Sequence, residues 1–558
     1  MAKNNSTIHK SEILKDYHIA NVSRQCSIAG RKEVLTGKAK FGIFGDGKEI
    51  AQLALSKVFK DGDWRSGYYR DQTLMMALGL FSASGFFHQL YGQTNVELNP
   101  GNGGRSFNNH FSTRSLDKDG EWKNLSKQKN SSADISPTAG QMPRLVGLAY
   151  ASKLFRQNEE LHRFSTLSDK GNEVAFGTIG DASTSEGHFF EALSAACVLK
   201  VPFAISIWDD GYGISVPKKY QTAKQSISDI LKGFEYDEKR GGALIYKGKG
   251  WDYDGLIKMY QEGISRCRAE HIPVVFHVEE ITQPQGHSTS GSHERYKTAE
   301  RLEWERQFDP ILKMRDWILK EKIASADELD KIENDALEEV KLAKQLAWKE
   351  FTEPLIRERD ALVSLIDQSR CHCAKDGQVD LIKSDLQKLI TPIRKDTISA
   401  SKKILRHLCQ NCSTDKPLKA ALADWINNTV KYHQDDYSSY LYASGKFSVL
   451  NVKEVKPVFD GNQELVAGRE ILRDNYDYIF AHNPRVVIFG EDVGNIGGVN
   501  QTLEGLQKKY GELRITDTGI RENTILGQGI GLALRGLRPI VEIQYFDYLL
   551  YADRKSVV

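Results

Sequence analysis

The sequence has little cysteine, almost no net charge and no long apolar run. Its 558 residues include 7 cysteines, an odd and sparse set that argues against a disulfide framework and fits a reducing compartment. Lysine and arginine number 76 and aspartate and glutamate 74, so the net charge of +2 gives no footprint for nucleic acid or an anionic membrane. The longest apolar stretch, residues 74–87, is interrupted by glycine and serine and is shorter than the roughly 20 residues of a membrane helix. We therefore expect neither a membrane span nor a nucleic-acid partner.

The N-terminal segment also lacks targeting features. Residues 1–16 are polar and contain neither the apolar core of a secretory signal nor the arginine-rich, acid-poor pattern of an organelle transit peptide. We therefore expect a cytoplasmic protein of prokaryotic type. With 40% hydrophobic and 27% charged residues the composition is that of an ordinary globular protein, and the length suggests about three domains of about 100–200 residues each.

The texture of the sequence changes along the chain. Residues 41–315 are rich in glycine and alternate short β-branched runs with helical stretches, which predicts an α/β domain with a doubly wound parallel sheet. Residues 1–40 precede it as a predicted N-terminal helical extension. Residues 316–455 have little glycine and a charged helical periodicity, with Ser325 and Glu328 spaced as a capping box, which predicts a helical connector.

The last region, residues 456–558, returns to the α/β texture, with strands predicted at 486–489 and 539–544. An α/β domain of about 100 residues that ends soon after a strand is short of the helices that cover a parallel sheet. We therefore expect a partial second α/β domain, truncated in this chain.

The most informative stretch contains two polar turns, each directly after a predicted strand. The predicted order is strand 174–179, turn Gly180-Asp181-Ala182-Ser183, helix 189–199, strand 201–208 and turn Asp209-Asp210-Gly211-Tyr212. In such a β-α-β unit both turns lie at the sheet edge where ligands bind, and the amides that open the helix suit a phosphate. Asp181 and Asp210 can therefore converge and offer the hard oxygens that magnesium accepts beside a diphosphate. The alternative is a helix cap and an ordinary turn, the commoner case for a lone Asp-Gly.

This stretch resembles the thiamine diphosphate motif, whose usual form is Gly-Asp-Gly, a spacer, and Asn-Asn. Its neighbours at 184–187, 191–193 and 211–217 resemble the α part of the decarboxylating first component of 2-oxo acid dehydrogenase complexes. The resemblance implies a magnesium site formed by Asp181, Asp210 and the carbonyl of Tyr212. It also implies a cofactor surface that includes Gly180, Ala182 and Ser183.

Two further segments resemble the same α part. Gly67–Asp71 is similar to the family's Tyr-Arg-Asp segment, and Gly286–Ser290 is similar to its active-site loop. The resemblance implies that Tyr69 and Arg70 bind the diphosphate and that His287 is both cofactor-binding and catalytic. Taken alone, a Tyr-Arg pair is more often a surface ion pair, and a loop histidine is more often solvated.

The C-terminal region resembles the β part of the same component, which would make the chain an α–β fusion. Residues 489–494 and 517–522 carry this resemblance. It implies that Glu522 is catalytic and bonds to the pyrimidine ring of the cofactor, a position that alone would more often hold a helix-start carboxylate. The implied cofactor-binding residues of this region are Ile520, Gln544 and Tyr548.

Together these segments imply an enzyme for the thiamine diphosphate-dependent oxidative decarboxylation of a 2-oxo acid, with acyl transfer to the lipoyl group of an acyltransferase component. Magnesium and a homodimer of the fused chain belong to that expectation. Among the candidate substrates we favour a branched-chain acid, 3-methyl-2-oxobutanoate. The alternatives are a pyruvate or acetoin dehydrogenase component, a transketolase-like transferase, and an inactive truncated scaffold, since the chain ends before the family's β-part histidine and last domain.

Some residues depart from this pattern or lie outside it. Ala182 replaces the second glycine of the motif, and Asp209-Asp210 replaces Asn-Asn, which adds negative charge beside a diphosphate and predicts a stronger dependence on metal. In the connector, two sets of residues could suggest zinc, namely Cys371-His372-Cys373 and His407, Cys409 and Cys412. The sets lie more than 30 residues apart and Cys-x-Cys is an uncommon zinc spacing, so we favour thiols that bind no metal.

Overall fold

The structure, a computed structural model, describes residues 8–368, 377–408, 415–443, 445–459, 461–462 and 464–557. Up to residue 320 the helices are α1 Lys10–Leu35, α2 Glu49–Ser56, α3 Gln72–Ala77, α4 Ala83–Tyr91, α5 Gln141–Gln157, α6 Gly187–Leu199, α7 Ile227–Ile230, α8 Tyr253–Glu270, α9 Ala299–Gln307 and α10 Pro310–Lys320. The strands there are β1 Trp64–Ser66, β2 Asn130–Ser131, β3 Ala175–Gly180, β4 Phe203–Trp208, β5 Tyr212–Gly213, β6 Val216–Pro217, β7 Leu244–Lys249 and β8 Val274–Glu279.

The later helices are α11 Ala326–Gln368, α12 Gln378–Lys388, α13 Arg394–His407, α14 Asp415–Ser438, α15 Gly468–His482, α16 Leu506–Tyr510, α17 Glu522–Leu534 and α18 Leu549–Val557. The later strands are β9 Val486–Gly490, β10 Ile515–Asp517 and β11 Arg538–Val541. Short 3-10 turns cover Leu125–Lys127, Glu159–Arg163, Ala182–Ser185, Lys218–Tyr220, Ala223–Gln225, Leu231–Phe234, His293–Arg295, Val449–Asn451 and Phe546–Tyr548.

The first region is built around a six-stranded parallel sheet in the order β2-β1-β3-β4-β8-β7. Phe176 of β3 and Trp208 of β4 lie in a core covered by α1, α2 and α8, whereas Ile179 and Ile207 lie in a core covered by α5 and α6. Burial on both faces explains why β3 and β4 read as nearly continuous apolar runs. Helices cover both faces, which confirms the predicted doubly wound α/β fold.

The helix α11 leads from this region into the connector. The Glu328 N–H donates to Ser325 Oγ at 3.1 Å and the Ser325 N–H donates to Glu328 Oε2 at 2.9 Å, which confirms the predicted capping box. Ala336, Val340 and Ala347 pack with α1 and α4, while the end of α11 packs with α12, α13 and α14 in a separate small core. Residues of α1 and of the start of α11 lie in the same cores as residues of the first region. The domain boundaries at residues 40 and 315, drawn from changes in sequence composition, stay predictions.

The last region holds a second, three-stranded parallel sheet in the order β10-β9-β11. On one face of β9, Val486 and Ile488 pack with Phe480 of α15. On the other face, Val487 and Phe489 join α17 in the same core as α5 and α6. This second small parallel sheet confirms the predicted second α/β unit.

Helix α17 crosses α5 at glycines. A Cβ on Gly147 would lie 2.0 Å from the carbonyl oxygen of Gln528, and a Cβ on Gly531 would meet the backbone of α5 at 2.4 Å. Arg535, just after α17, is fully buried and donates to Glu173 at 2.5 Å. The last region is therefore held directly on the helices that cover the first sheet.

Two expectations from the sequence, on zinc ligands and on a membrane span, can be compared only with the residues that the structure describes. Cys371, His372, Cys373, Cys409 and Cys412, weighed above as zinc ligands, lie outside them. Among the helices that the structure describes, none combines the length and the apolar character that crossing a membrane requires.

Candidate functional site

A cavity of about 390 Å³ opens at the carboxyl ends of β3 and β4. The 3-10 turn Ala182–Ser185 follows β3 and the hairpin of β5 and β6 follows β4, because glycine and polar residues end both strands. The loop that follows β8 contributes a third side. The cavity is lined by every site residue predicted within residues 41–315, namely Tyr69, Arg70, Gly180, Asp181, Ala182, Ser183, Asp210, Tyr212 and His287.

Asp181 is almost completely buried at the end of β3. Its N–H donates to the Trp208 carbonyl at 3.1 Å, and its own carbonyl accepts from the Thr184 hydroxyl at 2.6 Å. Its carboxylate oxygen Oδ2 is buried and has no hydrogen-bond partner among the described residues. Burial, followed by the charges of Asp210 and Asp209, raises the pKa of Asp181 well above its usual range. An acceptor left unpaired at this depth fits a bound cation.

Asp210 lines the same cavity from the turn after β4. The Tyr212 N–H donates to its Oδ1 at 3.2 Å, and the Lys48 ammonium lies 3.4 Å from its Oδ2. Arg301, on α9, donates to the main-chain carbonyl of Asp210 at 2.9 Å. Asp210 is therefore held through both its side chain and its backbone, near enough to Asp181 for the two carboxylates to repel each other.

The neighbouring Asp209 is buried and has protein partners of its own. It accepts from the Lys218 ammonium at 2.8 Å and from His277 Nε2 at 2.9 Å, while His277 Nδ1 lies 2.9 Å from the Ser228 hydroxyl. Although burial alone would raise it, the bond from His277 and the charge of Lys218 lower the pKa of Asp209 to about 2. Asp209, His277 and Glu279 place ligand-type atoms within 4.8 Å of one another, but the first two already bond to each other. Asp209 is therefore a charged member of a buried network.

Arg70 joins two loops at the cavity. It is only 4% exposed, and it donates to the Phe44 carbonyl at 2.7 Å and to the His287 carbonyl at 3.1 Å. Burial, followed by the charge of Arg70, lowers the pKa of His287 to about 4. The imidazole is therefore neutral at pH 7 and can either donate or accept a hydrogen bond.

The two polar turns pack against each other. A Cβ on Gly213 would lie 2.9 Å from the Ala182 Cβ and 2.6 Å from the Gln221 side-chain amide, so position 213 has no room for a side chain. At Gly180 the nearest atoms, including the Ser183 hydroxyl, would be 3.8 Å away. The alanine that replaces the second glycine of the motif is therefore accommodated by a glycine opposite it, and the wall at Gly180 is open.

The predicted residues of the last region lie elsewhere on the chain. Ile520 is 84% exposed and stands just before α17, which begins at Glu522. Gln544 donates to the loop 491–492, and Tyr548 is also exposed. Among the described residues of a single chain, the lining of the cavity includes none of these four. The first turn of α17 is tied to α6 instead, where Thr524 donates to Glu191 from its N–H at 2.9 Å and its hydroxyl at 2.6 Å.

Charged residues around the two turns were missed by sequence reasoning. Lys48, Lys218 and Arg301 contact the aspartates, and Lys297 lines the cavity while its ammonium pairs with Glu305 at 2.7 Å. Each comes from a segment without a recognisable motif, and only tertiary packing brings it here. A weak signal existed for Lys48, because it directly precedes the apolar helix α2 and is therefore carried into the core.

Two family models match the chain. Residues 19–354 match the model described as Dehydrogenase E1 component, and residues 464–557 match the model described as Transketolase, pyrimidine binding domain. The chain is 26% identical over 311 residues to the 2-oxoisovalerate dehydrogenase subunit alpha of Bacillus subtilis (strain 168), which covers 55% of this chain and 80% of that protein.

Other relatives match a shorter part of the chain. The chain is 48% identical over 88 residues to the 2-oxoisovalerate dehydrogenase subunit beta of Pseudomonas aeruginosa, covering 16% of this chain and 25% of that protein. It is 44% identical over 86 residues to the pyruvate dehydrogenase E1 component subunit beta of Acholeplasma laidlawii, covering 15% of this chain and 26% of that protein. The chain thus spans about a quarter of the length of these beta-subunit relatives, and it joins a segment similar to alpha subunits to one similar to beta subunits.

Proposed function

This chain belongs to the dehydrogenase E1 component family, and we propose that it decarboxylates a 2-oxo acid with thiamine diphosphate as its cofactor. The main support is that Asp181 and Asp210 meet at one cavity, where a buried carboxylate oxygen of Asp181 has no hydrogen-bond partner in the part of the chain that the structure describes. Such a pair suits a cation that carries a diphosphate, because hard oxygens from protein and phosphate together complete the ligand shell of magnesium.

The residues around the cavity fit both magnesium and the cofactor. The proposed magnesium ligands are Asp181, Asp210 and the carbonyl of Tyr212. The proposed cofactor surface is formed by Tyr69, Arg70, Gly180, Ala182, Ser183 and His287. The guanidinium of Arg70 brings positive charge to the diphosphate, and the open wall at Gly180 leaves room for it. When bound, thiamine diphosphate supplies the electron sink that makes loss of carbon dioxide from a 2-oxo acid feasible.

His287 is the proposed catalytic residue of the first region. Its imidazole is neutral at pH 7, so its ring N–H can donate a hydrogen bond to the acyl oxygen without bringing a charge into the cavity. The bond from Arg70 to its main-chain carbonyl holds the loop at 3.1 Å. We assign His287 to the transfer of the acyl group to the lipoyl group of an acyltransferase component, the proposed protein partner.

The last region is proposed to act through a second copy of the chain. In the described part of one chain, Ile520, Glu522, Gln544 and Tyr548 lie outside the cavity, and the apolar side chain of Ile520 is exposed. A homodimer in which each chain offers these residues to the other chain's cavity would bury Ile520 and bring the Glu522 carboxyl group to the pyrimidine ring. We therefore propose a homodimer with two shared sites.

The proposed substrate is a branched-chain acid, 3-methyl-2-oxobutanoate. Two relatives support it, since both names refer to 2-oxoisovalerate and one of these proteins is covered over 80% of its length. Pyruvate is the second candidate, because relatives of the C-terminal region include pyruvate dehydrogenase beta subunits. A cytoplasmic location, expected from the sparse cysteines, completes the proposal.

A panel of 2-oxo acids tests this function with an artificial electron acceptor. We expect turnover that requires both magnesium and thiamine diphosphate, with the highest kcat/KM for 3-methyl-2-oxobutanoate. Higher kcat/KM for pyruvate would replace the proposed substrate by the second candidate. Cofactor binding without turnover of any 2-oxo acid would favour the inactive scaffold, and turnover of a sugar phosphate would favour a transketolase-like transferase.

A further inference from the structure

Two lysines accompany the two consecutive aspartates of the turn after β4. The Lys218 ammonium lies 2.8 Å from Asp209 Oδ2, and the Lys48 ammonium lies 3.4 Å from Asp210 Oδ2. Lys48 is 1% exposed and Asp209 is 4% exposed, so water screens these two groups little, whereas the Lys218 side chain is 31% exposed. Each aspartate therefore has a positive partner that comes from a different segment of the chain.

The pairing changes the total charge of this corner of the cavity. Counted in their charged forms, Asp181, Asp209 and Asp210 bring three negative charges and the two lysines bring two positive charges, which leaves one formal net negative charge. The usual thiamine diphosphate motif has Asn-Asn in place of Asp209-Asp210, so Asp181 beside two neutral amides leaves the same net charge. Two carboxylates have thus been added to this corner together with two ammonium groups, and the formal charge of these groups equals that of the usual motif.

Both lysines also fix the segments around the aspartates. The Lys218 N–H donates to the Gly211 carbonyl at 2.9 Å, so its backbone and its side chain close the turn at both ends. The Lys48 ammonium donates to the Thr282 carbonyl at 3.3 Å and to Gln283 Oε1 at 3.0 Å, on the loop that leads to His287. Each lysine is therefore held by protein groups in addition to its aspartate.

We propose that Lys48 and Lys218 are positioning residues of the magnesium and diphosphate site, each neutralising and orienting one aspartate of the Asp209-Asp210 turn. This assignment rests on the proposed function and deepens it, since it adds two residues that no motif marks. Their part is to compensate the two carboxylates of the turn, of which Asp210 is a proposed metal ligand, so that the turn repels the diphosphate less. The defining property is compensation, so removing a lysine together with its aspartate charge must be milder than removing the lysine alone.

Calorimetric titration of the full chain with thiamine diphosphate at fixed magnesium tests the compensation. We expect Lys218→Met to weaken binding about tenfold, because the buried Asp209 carboxylate beside the site then loses the ammonium that compensates its charge. Asp209→Asn/Lys218→Met is expected to bind within about twofold of the unaltered chain. Lys48→Met should also weaken binding, because the Asp210 carboxylate then loses its ammonium partner. Lys219→Met, which removes an exposed neighbouring ammonium, is the matched control and should leave the affinity unchanged.

Equal weakening in a single variant and its double variant would overturn the proposal, and so would unchanged affinity in both lysine variants. The melting temperature of each variant without ligand separates a folding defect from a binding defect. If Lys218→Met does not fold, Asp209→Asn is used alone: we expect about tenfold more magnesium at half-saturation, and an unchanged requirement overturns the proposal. Failure of the unaltered chain to bind thiamine diphosphate would overturn the proposed function itself. If the unaltered chain binds and turns over, but a double variant binds as weakly as its single lysine variant, only the proposed role of the lysines is overturned.

Discussion

At the scale of single residues, Asp181 and Glu522 are assigned different parts in handling one cofactor. Asp181→Ala removes a metal oxygen, so we expect the affinity for thiamine diphosphate at fixed magnesium to fall about 100-fold or more. Glu522→Ala should leave that affinity nearly unchanged but reduce decarboxylation at least about 100-fold, because the carboxyl group acts on the ring and not on the anchor. Calorimetry and steady-state turnover measure the two effects separately.

The exposed Asp327, in the first turn of α11, supplies a matched carboxylate for this comparison. Asp327→Ala should change neither cofactor affinity nor turnover. An equal loss of binding in Asp181→Ala and Glu522→Ala would contradict the division of roles between the two regions.

Residues differ in how far the sequence predicts their place in the site. Asp181 and Asp210 could be placed together because each directly follows a strand, and adjacent parallel strands end at the same edge of a sheet. Lys218 could not, since a lysine carries no directional signal and this one reaches the site only through the packing of the β5–β6 hairpin. For Lys48 the sequence offered only its place directly before the apolar helix α2, which predicts burial but not a contact with Asp210. The pattern at residues 517–522 marked Glu522 as a site residue. It could not show that Glu522 lies outside the cavity of its own chain, because that depends on how α17 packs against α5 and α6.

At the scale of elements, the crossing of α17 over α5 depends on glycines. Gly531→Ala places a Cβ 2.4 Å from a backbone oxygen of α5. Because this contact is with backbone, one of the two helices must move to relieve it. We expect a destabilisation of about 1–3 kcal/mol, as for other overpacked core positions. The urea midpoint of the unfolding transition measures it. Gly468→Ala at the start of α15 is the control, because its Cβ would meet nothing within 4 Å; a similar midpoint shift in both variants would contradict the steric account.

Strand limits were predictable where the backbone pairing continues. The strand expected at 174–179 is β3 at Ala175–Gly180, and the strand expected at 486–489 is β9 at Val486–Gly490. The strand expected at 539–544 is β11 at Arg538–Val541, because its ladder with β9 stops at the pair of Val541 with Phe489. Beyond that pair, among the described residues, only the Glu542 N–H still donates to β9, at the Phe489 carbonyl at 3.0 Å. Side-chain pattern alone does not reveal where a neighbouring strand stops.

At the scale of the whole molecule, the proposed homodimer predicts that two inactive variants restore activity when mixed. In a mixed dimer of Asp181→Ala and Glu522→Ala chains, one cavity receives both defects and the other receives neither. Random pairing should therefore recover about a quarter of the unaltered activity after the chains are unfolded and refolded together. Decarboxylation by the mixture measures this recovery, and each variant refolded alone is the control. An inactive mixture that nevertheless forms dimers, checked by sedimentation, would show that the sites are not shared.

The length of helix α11 fixes how its two ends are oriented relative to each other. Its 43 residues, at about 1.5 Å each, make a rod of about 65 Å whose first part is fixed to α1 and α4 and whose end is fixed to α12, α13 and α14. One extra residue between Ala347 and Leu362 would rotate everything beyond it by about 100° and turn Leu362 and Ile366 away from their core. The two ends of α11 must therefore keep one relative rotation, so the length of this helix can change only in steps that return Leu362 and Ile366 to the same direction.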